Sequence, residues 1–283
     1  MRALETEVVD ALIDAVEPLL PGPDLSHPLG CHRPRVPDRL CLRGLLIRLV
    51  TGSSWVDIEA ILDHQVSDTT LRTRRDEWID AGVFDTLHAE AVAAFDRICG
   101  LDLSEVSIDG STHKAPCGGE GTGKSPVDRG KLGWKWSVAA DRNGIPIGWA
   151  ISGANRNDLK LLGPTLGRVA DAGLLADIET LHLDRGYDYP VVRGRLTHLG
   201  IGDHVIARRR KRGEPAPPRQ TLGMRWVVES TNSWLSNYGQ LRRNTDRQNR
   251  HRHAALCLAT TVIIIGKLID HRDRWNPDSA PIR

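Results

Sequence analysis

The five cysteines of this 283-residue chain, at 31, 41, 99, 117 and 257, include no CxxC pair and make an odd count. That argues against a disulfide framework and a zinc ribbon. It favours a reducing cytosol as the setting. No signal-peptide h-region opens the sequence, so a cytoplasmic location is the expectation. A membrane-length apolar run is missing too. The longest, Ala254 to Ile265, is too short to span a bilayer and reads as a buried helix. Strong net charge is also absent: at +2 the chain is no global polycation. Its charge is local. Arg208 and Arg209 begin a run of five cations ending at Arg212, and Arg242, Arg243, Arg247, Arg250 and Arg252 form a second cluster. Such patches suit nucleic acid even on a nearly neutral protein. An apolar content of 40% is enough for a sizeable core, in one large domain or one with a smaller companion.

Residues 1 to about 100 read as helices. Leu4, Val8, Leu12, Val16 and Leu19 carry helical spacing, and Pro18, Pro21 and Pro23 close it. Asp38 can cap a helix bearing Leu40, Leu42, Leu45, Leu46, Ile47 and Leu49, ended by Gly52. Short helices follow from Trp55, from Ser67 to Ile79 and from Val83 to Ile98. The segment from Ser67 to Ile79 holds Arg72, Arg74 and Arg75. Short helices with tight turns and arginines on a later one are compatible with a helix-turn-helix unit binding DNA. A helical packing domain with a solvated basic face looks the same at this level.

After residue 100 the period changes. Val106 to Asp109 and Trp134 to Ala139 alternate like strands, and an Asn143-Gly144 turn returns the chain through Ile145 to Ile151 as a hairpin. A helix from Asp158, a strand from Ile178 to Leu183, a helix from Pro190, a strand from His204 to Ala207 and a helix around Glu229 complete the order β, β, β, α, β, α, β, α. That order predicts an α/β mixed sheet with helices on its faces.

Gly118 to Ser125 fits the phosphate-binding pattern GxxxxGK[ST] letter for letter. The mechanism requires a strand before the loop and a helix opening at Lys-Ser. Gly130, Gly133 and an alternating strand come instead, so a nucleotide-binding loop is rejected. Lys114, Lys124 and Arg129 remain suited to a phosphate backbone.

Three acids call for explanation. Asp109 and Asp184 end strand-like runs, where ligands of α/β sheets gather. Glu229 lies among Val227, Val228, Thr231, Trp234 and Leu235 on a helix laid against a core, where a carboxylate is costly without compensation. Arg225, one turn away, is one partner. Two divalent cations shared with Asp109 and Asp184 are the other. Asp109 also suits a turn with Gly110, and Asp184 a cap or a pair with Arg185.

At these residues the chain resembles DDE transposases of bacterial insertion sequences, in the IS5-like branch of the IS4 superfamily. The likeness runs over roughly residues 33 to 270. It rests on Ser107 to Ser111, Thr122 to Gly130, Leu183 to Asp188 and Arg225 to Leu235. It implies an RNase H-like catalytic core over 101–283 after a DNA-binding helical domain over 1–100. It maps the three catalytic, metal-holding acids to Asp109, Asp184 and Glu229, with Mg2+ or Mn2+ as cofactor. Double-stranded DNA, as element ends and as target, is the implied partner, without a membrane, and two ends to be held make a homodimer plausible. Arg225, Arg242 and Arg243 occupy basic positions of the family pattern. Ser230 stands where arginine is usual, and Leu222 and Ser236 where the wider signature has tyrosine and lysine. A DNA-binding relic without catalysis and a nuclease without strand joining are the alternatives.

Overall fold

The architecture comes from a computed structural model that describes residues 3–22, 35–207 and 225–275. In chain order run α1 (Thr6–Val16), α2 (Asp38–Thr51), α3 (Trp55–Ile61), α4 (Asp68–Asp80), α5 (Val83–Cys99), β1 (Glu105–Lys114), β2 (Gly123–Lys124), β3 (Leu132–Ala140), β4 (Pro146–Gly153), α6 (Leu159–Asp171), β5 (Thr180–Leu183), α7 (Pro190–His198), β6 (Asp203–Ile206), α8 (Arg225–Ser236), the one-turn α9 (Gly239–Arg242) and α10 (Asn249–Trp275). They form two compact units. One spans Met1–Cys99, Asn237–Asn244 and Arg250–Arg283, and the other Gly100–Ser236 and Thr245–Asn249.

The first unit is all helical. Its boundaries follow local chemistry. Gly52, at φ +73°, stops α2 in the left-handed conformation. Ser54 and Asp57 exchange side-chain-to-backbone hydrogen bonds to start α3, and Ser67 caps α4 through the Thr70 N–H. Leu12, Leu46, Leu49, Ile58, Leu71, Trp78 and Leu87 are fully buried. Each contributes on the order of 2 kcal/mol by leaving water. The expected apolar helix is α10, which is long and apolar enough to cross a membrane by length and composition alone. Two-thirds (67%) of its most apolar window is buried inside the protein, as in a core helix.

The second unit is a mixed sheet with flanking helices, as the strand and helix order predicts. β3 lies antiparallel between β1 and β4, β2 pairs with its start, and β5 and β6 add on the other side of β1 in parallel. The Asn143-Gly144 hairpin is organised by Asp141. This fully buried carboxylate accepts from the N–H groups of Asn143 (2.9 Å), Ile145 (2.7 Å) and Asp102 (3.1 Å). Paired residues share a face of a sheet. Asp109, Val138 and Trp149 are therefore on one face, and Gly110, Ser137 and Ala150 on the other. α8 covers the first face: Trp136 Nε1 donates to Asn232 (2.8 Å) and Thr231 donates to the Gly144 carbonyl (3.0 Å). α6 covers the second, where Thr165 meets Ser137 at 3.0 Å.

The glycine-rich loop has no helix after it. Gly123-Lys124 is the short β2, and Pro126 to Gly130 is a turn. Its glycines serve close packing. A Cβ on Gly119, at φ +101°, would strike the Arg247 backbone, and one on Gly121 the Asn249 side chain.

Candidate active site

Two parallel strands bring the first two acids together. Ile108 of β1 pairs with Leu183 of β5, so Asp109 and Asp184 follow side by side, about 5 Å apart in the sheet direction. Asp184 lies just past the end of β5 as expected, whereas β1 does not end at Asp109 but runs on to Lys114, with Asp109 paired to Val138 of β3. Asp109 accepts from the Gly110 N–H (2.8 Å), and Asp184 from the Gly186 N–H (2.5 Å) as it caps a short 3-10 turn. Burial pushes the Asp109 carboxyl up to about 6. Its own backbone hydrogen bond opposes this, the Asp184 and Asp158 charges add to it, and Arg225 pulls it back. Such a shift belongs mainly to a carboxyl taken out of water, with the neighbouring acids as a smaller contribution. The buried Tyr187 phenol is raised by burial and by the same three carboxylates, Asp158, Asp109 and Asp184.

Asp158 is the acid that the sequence reading missed. It precedes α6 and comes to Gly110, where a Cβ would collide with its carboxylate. Lys135, almost wholly buried, holds Asp158 at 2.7 Å. By strand alternation Lys135 and Gly110 are on the α6 face, opposite Asp109. Asp158 is thus already neutralised on the far side of β1. Its available signal was a lysine placed inward on an otherwise apolar strand.

Glu229 differs from its expectation. It is not buried: 57% of its side chain is exposed, and it pairs with Arg225 Nη2 at 3.1 Å. The reason is helical geometry. Val227, Val228, Thr231 and Leu235 take the buried face of α8, which turns Glu229 outward. Arg225 connects the elements, since its charge acts on Asp109 while its guanidinium holds Glu229. Glu229 does not join Asp109 and Asp184 in a group of ligand atoms within 4.8 Å of one another. Among the described residues that spacing is met by Asp85, His253 and Cys257. The two serines at departures from the family pattern bond to their own helix: Ser230 to the Trp226 carbonyl (2.9 Å) and Ser236 to that of Asn232 (2.6 Å).

The basic residues divide by exposure. Arg74 is bound by Asp38, by Glu77 at 3.3 Å and by the Val36 carbonyl at 3.2 Å, with 6% of its side chain exposed. Arg75 bonds Asp76 at 2.9 Å and lies 5.1 Å from the Trp55 ring centre. Arg72 is half exposed and pairs with Asp68 at 2.8 Å. Lys114, Lys124, Arg129, Arg242 and Arg243 are exposed. Arg208, Arg209 and Leu222 lie outside the described residues.

The sequence profile of the family described as "Transposase DDE domain" matches residues 100–264. The family described as "Putative transposase of IS4/5 family" matches residues 8–88. A Burkholderia cepacia protein named "Putative transposase for insertion sequence element IS402" is 35% identical over 133 residues, covering 45% of this chain and 60% of that protein. The match therefore spans about three-fifths of that relative's length. "Insertion element IS402 uncharacterized 16.2 kDa protein" of the same organism is 34% identical over 117 residues, covering 41% of this chain and 79% of that protein. Among solved structures, a "Mos1 transposase paired-end complex with left transposon end" aligns over 65% of this chain and 61% of that one, at 14% identity and a TM-score of 0.24. That likeness is too slight to bear on the fold.

Proposed function

The chain belongs to the DDE-domain transposase family, and from that premise we propose that it cuts double-stranded DNA at the ends of an insertion sequence and joins the freed 3′-hydroxyl to target DNA. The observation that carries this reading is the position of Asp109 and Asp184, each one residue past the Ile108–Leu183 pair of the adjacent parallel strands β1 and β5. The sheet, with an antiparallel set of strands followed by two parallel ones and helices on both faces, is read as an RNase H-like core. The sheet unit is assigned the chemistry and the helical unit the recognition of DNA, with two copies holding two ends.

The acids fit a pair of Mg2+ or Mn2+ ions. They are hard oxygen donors, and the Asp109 carboxyl is raised first by burial and then by the neighbouring Asp184 charge, so a cation there would offset the cost of ionising it. Asp109 and Asp184 would hold the ions, and Glu229 would complete the set on leaving Arg225. Bound there, such ions activate the attacking oxygen and stabilise the departing one. The oxygen of water bonds to phosphorus, the bond to the 3′ oxygen breaks, and that oxygen takes up a proton. The resulting hydroxyl then attacks a target phosphorus and displaces a 3′ oxygen there. Arg225, beside both Asp109 and Glu229, is assigned to hold the scissile phosphate. Lys114, Lys124 and Arg129 are assigned to the backbone near the site. In the helical unit Arg72, Arg242 and Arg243 are the contacts of choice, because the guanidiniums of Arg74 and Arg75 are committed inside the protein.

The test is incubation of the full chain with Mg2+ and DNA carrying its element's inverted repeats, followed by analysis of cleaved and joined strands. Cleavage with joining is expected from the native chain. Glu229→Gln is expected to bind DNA and not cut it. Full cleavage by that variant would sink the assignment of Glu229. Binding without cleavage by the native chain would leave a DNA-binding relic, and cleavage without joining a nuclease.

A further inference from the structure

We propose that the helical unit carries a metal site of its own, formed by Asp85, His253 and Cys257 and suited to a single zinc-class ion. The inference is independent of the chemistry assigned to the sheet unit. His253 and Cys257 are four residues apart on α10, so they face the same way. Asp85 comes from the first turn of α5. Their donor atoms all lie within 4.8 Å of one another.

The carboxylate and the thiol converge on one atom. Asp85 Oδ1 is 2.8 Å and Cys257 Sγ 3.5 Å from the same atom, Nε2 of His253. A neutral imidazole nitrogen either donates or accepts. With a neutral thiol, Nε2 therefore serves the carboxylate or the S–H, not both. A cation at that point takes all three. Tetrahedral zinc holds sulfur at about 2.3 Å and nitrogen or oxygen at about 2.0–2.2 Å, which separates an S and an N ligand by roughly 3.5 Å and an N and an O ligand by roughly 3.4 Å. The sulfur and nitrogen already have that spacing. Asp85, half exposed, needs to retreat by about half an ångström, which a side-chain rotation supplies.

The donor set selects the ion. Thiolate, imidazole and carboxylate together suit Zn2+ or Co2+ and exclude Mg2+, which takes oxygen ligands. Binding displaces the thiol proton to solvent. Cys257 is buried while His253 and Asp85 reach the surface, so water can enter a fourth position from outside. An ion held there ties α5 to α10, and it stabilises the folded chain because the unfolded chain does not assemble the site.

The experiment is a cobalt titration of the metal-free full chain, read by absorption and by thermal melting. One equivalent of Co2+ is expected to produce a thiolate-to-cobalt charge-transfer band that Zn2+ abolishes. Zn2+ should raise the melting temperature and Mg2+ should not produce the same rise. Cys257→Ser is expected to erase the band, while Cys117→Ser, at an exposed cysteine, keeps it. Asp85→Asn and His253→Gln, on partly exposed side chains, should each weaken cobalt binding at least tenfold. No binding at micromolar Co2+, or a band that survives Cys257→Ser, overturns the site. If Cys257→Ser does not fold, unchanged cobalt affinity in both Asp85→Asn and His253→Gln overturns it equally.

Discussion

Asp109 and Asp184 owe their meeting to strand register, whereas Glu229 owes its place to how a helix rolls on a sheet. In the first case the pairing of Ile108 with Leu183 sets the next residues beside each other, while β3 holds Asp109 from its other side through Val138. In the second, α8 is fixed by other side chains than Glu229: Thr231 on the hairpin turn and Asn232 on Trp136. Glu229 is left in water with Arg225. The two acids of β1 and the β5 end are held in place by backbone, and the helix acid by one exposed ion pair. The difference teaches that one acid of the proposed set is movable.

The largest test of this contrast is catalytic. Asp109→Asn and Asp184→Asn are expected to lower strand cleavage by about three orders of magnitude or more, as loss of a central charge-stabilising group does, with DNA binding retained in a gel-shift assay. Glu229→Gln should cost as much cleavage but less Mg2+ affinity, measured by calorimetry, if Asp109 and Asp184 already hold ions without it. Equal loss of affinity in all three variants would break the distinction.

Next comes pH. His113 stacks on Trp136 at 3.8 Å on the face that α8 covers, and burial holds its pKa down to about 4. Between that value and about 6.5 the unfolded chain binds a proton that the folded chain does not. Stability present above pH 6.5 is therefore lost as pH falls through this window, by about 3 kcal/mol at most. Asp109 works with the opposite sign. Its raised pKa means that stability present at low pH is lost as pH rises toward about 6. His113→Gln should flatten the acid loss in urea melts, and Asp109→Asn should deepen it.

The hold on α8 itself is smaller. Asn232→Ala removes the acceptor of the buried Trp136 N–H and is expected to cost about 1–3 kcal/mol in chemical denaturation. Cleavage should fall as well, because the helix loses its register on the sheet. The smallest effect belongs to the exposed pair. Arg225→Ala should change stability by less than about 0.5 kcal/mol, yet weaken cleavage if it positions phosphate. Unchanged turnover would remove that role.

Much of the framework was legible because it is local. Apolar periodicity, Gly52 at the end of α2 and the Asn143-Gly144 turn each act within a few residues. The rejection of a phosphate loop also followed from local order, since Gly130 and Gly133 left no place for a helix. Other expectations depended on distant partners. Arg74 and Arg75 read as surface cations until Asp38, Glu77 and Trp55 are placed beside them. Asp158 read as a helix start until Lys135 and Gly110 met it across the sheet. Asp141 shows the limit of reading an acid by type. It is as buried as any, its pKa raised by burial, yet its hydrogen bonds to backbone N–H groups mark a structural role in a turn.

The sequence alone determined which residues carry charge, the order of most strands and helices, and which family the motifs resemble. These depend on neighbours along the chain. Only the tertiary structure decided which charges face water, that Asp109 adjoins Asp184, that Glu229 is turned outward, and that Asp85 comes to His253 and Cys257. Each of these depends on strand register or helix rotation. A shift of one residue or a small roll moves such groups between faces, and the packing of the whole unit sets that choice.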